Sequence, residues 1–156
     1  MKCGIFKNRI VIILVCLIAG AFVSRVPRNL TLCTTKSVKY SLFWTKPYNV
    51  FESQALTNKY VRLIMDINLK NAECKQCQIV KRVGCESMSR LEVKEKQFIC
   101  DGSIIGEAFR DDFIIMNGII PEGKIFLIGD HEKSYDSRYF GLVEKSKINA
   151  ILLPLF

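Results

Sequence analysis

The sequence predicts a mainly β fold, a barrel or sandwich of short antiparallel strands, preceded by one hydrophobic N-terminal helix. Three observations predict it. The chain has 156 residues, the length of a single domain. After residue 28 its apolar residues cluster in short β-branched and aromatic runs, separated by Gly, Pro, Asn and Asp. Before residue 28 lies one uncharged apolar stretch, Ile10 to Ser24, between Arg9 and Arg25. Many short strands with few helices read as an all-β barrel or sandwich.

The elements follow in order. Ile10 to Ser24 as a helix spans about 22 Å, short of the roughly 30 Å hydrocarbon core. It is either a signal-peptide core with Ala19-Gly20-Ala21 as cleavage motif, or a short anchor with snorkelling arginines. Residues 1–28 thus form a stub and membrane segment, and residues 29–156 the folded domain. Within that domain Val38 to Trp44, Tyr60 to Ile67, Gln78 to Val83 and Leu91 to Val93 read as strands. So do Phe98 to Ile99, Phe113 to Ile115 and Lys124 to Ile128. Turns are expected at Asn68 to Asn71, Asp101-Gly102, Asn117-Gly118 and Pro121 to Gly123. Glu52 to Asn58 is the one short helical candidate beyond the apolar stretch. The apolar tail, Ile148 to Phe156, reads as a closing strand, with contact to a membrane surface as the alternative.

Composition narrows the class. Charged residues make up 24% and hydrophobic residues 49%, which suits a packed core and excludes disorder. The net charge of +8 fits an anionic membrane surface better than nucleic acid. No basic run with interleaved aromatics appears of the kind that builds a nucleic-acid platform. The excess of positive residues before the apolar stretch puts that end in the cytoplasm and the domain outside it. Beyond the stretch lie Cys33, Cys74, Cys77, Cys85 and Cys100, enough for two disulfides and one free thiol. Cys74-Lys75-Gln76-Cys77 has zinc-knuckle spacing but lacks a second ligand pair, and no thioredoxin-like pattern surrounds it. A structural disulfide among the last four is expected, with connectivity open. No metal and no cofactor is called for.

One segment carries chemistry. From Gly118 to Gly141 a strand runs into Gly129-Asp130, a short polar loop follows, and Asp136-Ser137-Arg138 precedes an aromatic pair. Upstream stand Lys81-Arg82-Val83 and, before that, Thr34-Thr35-Lys36-Ser37-Val38 with Leu42-Phe43. In this order the three segments resemble the signature boxes of the type I signal peptidases. Lys39 and Ser41 stand where that family usually has Pro and Gly, and the usual Pro-Gly-Asp after the lysine box is absent. The short chain, the Thr-Thr-Lys-Ser-Val stretch and the compact final box resemble most the conjugal-transfer, pilin-processing (TraF-type) branch.

The resemblance implies a coiled antiparallel β-fold of the signal peptidase type, held to the membrane by a retained hydrophobic helix. It implies a serine endopeptidase whose base is a lysine. A serine hydroxyl needs a neighbouring base, and a lysine serves only as the neutral amine, so its pKa must fall well below about 10.4 through burial. Ser37 is then the nucleophile, with Ser41 as rival, and Lys81 the base. Thr35 and the backbone N–H of Ser37 would hold the oxyanion. Ser134 would orient the lysine amine, and Asp136, Arg138 and Arg82 would form a supporting ion-pair network. Gly129 would permit close backbone approach, and Asp130 would hold the loop. His131, the only histidine, reads as a loop residue and not a catalytic one. The implied substrate is a preprotein, in this branch a pilin precursor, cut by hydrolysis or closed into a ring through the acyl-enzyme. The implied setting is the periplasmic face of a bacterial inner membrane, with possible contact to a conjugation apparatus. A general leader peptidase and a non-catalytic assembly protein of a secretion apparatus are the alternatives.

Overall fold

The strand runs pair into two antiparallel sheets in the computed structural model, which describes residues 11–18, 20–21, 29–49, 55–69 and 72–156. The chain divides into two units, Met1–Leu30 and Thr31–Phe156. In the first, residues 11–18 and 20–21 are helical (α1). Among the described residues no helix is long and apolar enough to cross a membrane. Ala19 of the cleavage motif lies outside the described residues, as do the flanking arginines Arg9 and Arg25.

The larger sheet has seven strands in the order β1-β2-β11-β3-β4-β9-β10. These are β1 (Leu30–Leu32), β2 (Leu42–Pro47), β3 (Tyr60–Leu69), β4 (Ala72–Cys85), β9 (Lys124–Ile128), β10 (Val143–Glu144) and β11 (Ile148–Pro154). The smaller sheet runs β7-β6-β5-β8, from β5 (Arg90–Lys94), β6 (Gln97–Cys100), β7 (Ser103–Glu107) and β8 (Gly118–Ile119). Among the described residues of this unit the helical segments are α2 (Ser137–Phe140) and a 3-10 turn at Lys145–Lys147.

Strand β9 explains why Lys124 to Ile128 reads as an unbroken apolar run and not an alternating one. Its Ile125 and Leu127 enter one core, with Val61, Leu63 and Val83. Its Phe126 and Ile128 enter another, with Cys85, Leu91 and Phe98. A strand covered on both faces needs apolar residues at every position. Each such side chain removed from water contributes about 1.5–3 kcal/mol, so β9 is strongly anchored where it delivers Gly129 to the site. Its partner β4 is held likewise, with Arg82 opposite Ile128 and Val83 opposite Leu127. Two fixed strands therefore set the spacing between the lysine box and the Gly-Asp box.

Several sequence expectations are corrected. The strand placed at Val38 to Trp44 begins only at Leu42, because residues 35–39 turn and bend around Ser37. Phe113 to Ile115 is not a strand; Phe113 packs on the smaller sheet's core, the Ile114 N–H donates to the Arg138 carbonyl at 2.8 Å, and among the described residues no strand pairs with it. The helical candidate at Glu52 to Asn58 lies outside the described residues over its first part. Its second part is a turn, since Asn58 takes φ 64° and the Glu86 carboxylate accepts the N–H groups of Leu56 and Thr57. The tail closes the larger sheet, β11 lying between β2 and β3 with Ile151 opposite Lys46 and Val61. Two disulfides form, Cys74–Cys77 and Cys85–Cys100, and Cys33 is free.

Candidate active site

A groove of about 540 Å³ brings the three sequence boxes together: Thr35 and Ser37, then Lys81, then His131 and Ser134, all line it. Ser37 sits on a turn, not a strand, and is half-buried. The turn is pinned from across the groove. The Ser37 carbonyl accepts from the Asp130 N–H at 2.9 Å and from the His131 N–H at 3.5 Å. Asp130 returns the contact, one carboxylate oxygen accepting from the Lys39 N–H at 2.9 Å and from the Tyr60 hydroxyl at 2.7 Å. Its other oxygen accepts from Arg82 Nε at 3.0 Å. A proline at position 39, the residue the resemblance leads one to expect, has no N–H to give. The departure from the family pattern thus supplies one of the bonds that hold the turn.

The Thr35 and Ser37 hydroxyls are 2.9 Å apart. Lys81 lies on β4 opposite Val61 of β3 and is only 5% exposed. Its Nζ donates to Ser134 Oγ at 2.6 Å. Burial lowers its pKa from the ordinary 10.5 to about 8, with the nearby Arg138 charge acting the same way and Asp136 and Asp130 opposing. Desolvation wins because the carboxylates' charges are spent on other partners. Among the described residues Ser37 Oγ and Lys81 Nζ share no hydrogen bond; the serine hydroxyl is turned to Thr35 and the amine to Ser134. A proton passing between them would require the Ser37 hydroxyl to turn away from Thr35, and rotation of a side chain that is not enclosed takes picoseconds to nanoseconds. Catalytic hydrogen bonds are often made only once substrate is bound.

Gly129 governs this contact. A Cβ there would lie 2.0 Å from Ser134 Oγ and 2.8 Å from the Ser37 carbonyl oxygen. No residue with a side chain fits without displacing the lysine's partner or the serine's turn. Its N–H donates to Asp136 Oδ2 at 2.7 Å. Asp136 is wholly buried and pairs with Arg138 through two bonds, Nε to Oδ1 at 2.8 Å and Nη2 to Oδ2 at 2.7 Å. Arg138 also donates to the carbonyls of Glu107, His131 and Ser134. A buried ion pair keeps its charges only when the remaining donors and acceptors are satisfied, and here they are. The pair ties the loop that carries Ser134 to the strand that carries Gly129.

One sequence assignment changes, that of Arg82. Arg82 does not join Asp136; it pairs with Asp130 and donates to Asn58 Oδ1 at 2.9 Å, because successive residues of β4 face opposite ways and Lys81 is the one turned into the groove. Ser41 does not line the groove, and its backbone is held between Cys33 and Phe156. His131 is exposed, and its Nδ1 accepts from the Lys133 N–H at 3.1 Å, a contact within its own loop. Sequence reasoning missed Tyr60, which opens a strand and carries no local signal for its bond to Asp130. It also missed Ser137, whose Oγ accepts from the Leu127 N–H at 2.9 Å. Its place between Asp136 and Arg138 was the available clue.

Comparison with known proteins adds to this geometry. A sequence model described as "Signal peptidase, peptidase S26" matches residues 7–153. No curated protein matches the chain. Among solved structures the chain is similar to a signal peptidase I from Enterococcus faecalis V583, with TM-score 0.43 and 16% identity over 62% of this chain and 94% of that one. At that distance the structural likeness assigns no residue a role, whereas the sequence match spans nearly the whole chain.

Proposed function

The chain belongs to the S26 family of signal peptidases and is a serine endopeptidase of the leader-peptidase kind, and on that premise we propose that Ser37 is its nucleophile and Lys81 its base. The observation that carries this is the state of Lys81. It is an almost fully buried amine in the groove of Ser37, with a pKa near 8 and no carboxylate bonded to it. Such an amine is neutral often enough at neutral pH to accept a proton.

The reaction then runs as follows. Ser37 Oγ gives its proton to Lys81 Nζ and bonds to the scissile carbonyl carbon. The oxyanion that forms is met by the Thr35 hydroxyl and the Ser37 N–H. Lys81 passes the proton to the departing amine, leaving an ester on Ser37. Water, activated by Lys81 in turn, releases the acid. Ser134 holds the amine in line throughout, and Asp136–Arg138 holds Ser134.

The substrate is a preprotein presented at the outer face of a bacterial inner membrane, with residues 1–28 as the membrane segment and residues 29–156 as the peptidase domain. Within the family the Thr34-Thr35-Lys36-Ser37-Val38 stretch and the compact loop from Asp130 to Asp136 favour a pilin precursor of a conjugation apparatus. The test is co-expression of a pilin precursor, and separately of a general secreted precursor, with the intact chain, Ser37→Ala and Lys81→Ala. Processing lost in both variants, while folded protein accumulates, is the expected result. Processing that survives Ser37→Ala removes the nucleophile assignment. Product mass separates hydrolysis from ring closure, since a cyclic product is one water lighter.

A further inference from the structure

The charges around the groove are one-sided. None of its lining residues is Asp or Glu, while Lys36, Lys133 and His131 all line it, on two segments that meet where the Ser37 carbonyl accepts from the Asp130 N–H. Lys36 directly precedes the proposed nucleophile and Lys133 directly precedes Ser134. Among the described residues Lys94, Lys96 and Lys145 have their charge met by Glu92, Asp111 and Glu86. Neither groove lysine has an acidic partner of that kind; what sets the two apart from other unpaired surface lysines is their place on the lining of the groove. Lys36 is exposed, with no partner among the described residues. Lys133 is exposed and rests its ammonium over the Phe109 ring at 4.9 Å, which holds it at the rim without neutralising it. The nearby acids are largely committed, Asp130 to Arg82 and Asp136 to Arg138, which leaves Glu132 as the one exposed carboxylate on that loop. A cleft lined with one sign of charge focuses its field on whatever enters.

We infer that the groove selects an acidic peptide, with Asp or Glu within a few residues of the scissile bond, and that Lys36 and Lys133 read it. The inference rests on the peptidase reading and narrows its substrate class. An incoming carboxylate would find two ammonium groups without acidic partners, whereas a lysine there would meet like charge from both. Exposed charge pairs are individually weak, so the preference is moderate and falls with salt.

The test uses the intact chain in detergent and two sets of fluorogenic peptides with small residues before the cut. One set carries Asp, Asn or Lys at the second residue before the scissile bond, the other at the second residue after it. At low salt kcat/KM is expected to fall in the order Asp, Asn, Lys in at least one set. Asp should exceed Lys by about tenfold, since attraction of the one and repulsion of the other are each worth a few-fold. In about 1 M salt, where screening acts within about 3 Å, the ratio should approach one. Replacing both lysines, Lys36→Glu with Lys133→Glu, should invert the order. Equal cleavage of all peptides in both sets, or an order that the charge-reversed variant preserves, overturns the inference and leaves the peptidase reading standing. Failure to cleave any peptide, the Asn members included, overturns the peptidase reading and this inference with it.

Discussion

At the scale of single residues, the pKa of Lys81 makes the sharpest demand. A base must be unprotonated, and with a pKa near 8 the amine is about one-tenth neutral at pH 7 and mostly neutral at pH 9. The sign follows: kcat/KM on a neutral peptide should rise about tenfold per pH unit below pH 7, bend near pH 8, and level off above about pH 9. A rate that does not vary between pH 6 and 9 would remove Lys81 as base. Lys81→Arg keeps a charge but has no accessible neutral form, and should be inactive at every pH. This lysine is picked out in the sequence by the resemblance of Lys81-Arg82-Val83 to the family's lysine box, and Ile79, Val80 and Val83 around it suit a buried amine. Its pKa is not legible there, because the cause is burial by β3 and the loop from Asp130 to Asp136, which are distant in sequence. Tyr60 shows the same limit, since nothing near it in sequence announces the bond to Asp130.

At the scale of elements, the end of β9 is where three boxes meet, and Gly129 is the point of contact. Gly129→Ala should fold, since the flanking strand is buried on both faces, but its methyl group must push Ser134 away or lift the Ser37 turn. Either movement disturbs the placing of Lys81, the proposed base, against Ser37, the proposed nucleophile. The expected outcome is a fall in kcat of about a hundredfold or more with little change in KM, of the size that an ångström-scale misplacement produces. A variant with normal kcat would mean that the loop relaxes freely and that the close packing has no catalytic role. Strand β9 itself is legible to the residue, since an apolar run follows Pro121-Glu122-Gly123 and stops at Gly129. Strands of two residues, β8 and β10, show no period and are not legible. Phe113 to Ile115 fails in the opposite way. Its composition is strand-like, but a strand also needs a neighbour, and the Arg138 carbonyl takes the bond instead.

At the scale of the whole molecule, the mainly β class is visible from the spacing of runs and turns, but the sheet order is not. No local signal says that the last strand inserts between β2 and β3, or which cysteines meet. Both are decided by contacts between distant parts of the chain. The Cys85–Cys100 disulfide is the consequence with a measurable cost. It joins β4 of the larger sheet to β6 of the smaller one across a sequence separation of 15, whereas Cys74–Cys77 closes a local bulge with a separation of 3. Restriction of the unfolded chain grows with loop length, so replacing Cys85 and Cys100 by serine should cost about 3 kcal/mol, and replacing Cys74 and Cys77 about 2 kcal/mol. Loss of packing in the buried pair adds to the first figure, because Cys85 and Cys100 lie in the core with Phe98 and Phe126 and the exposed Cys74 does not. Urea unfolding of the two double variants measures the difference. The pH midpoint of activity should not move in the Cys85 and Cys100 variant under folding conditions, because burial of Lys81 comes from β3 and the Ser134 loop. If that midpoint rises toward the ordinary lysine value, the smaller sheet does more than brace the larger one. Its attachment then sets the dryness of the groove, and the base depends on the junction of the two sheets as a whole.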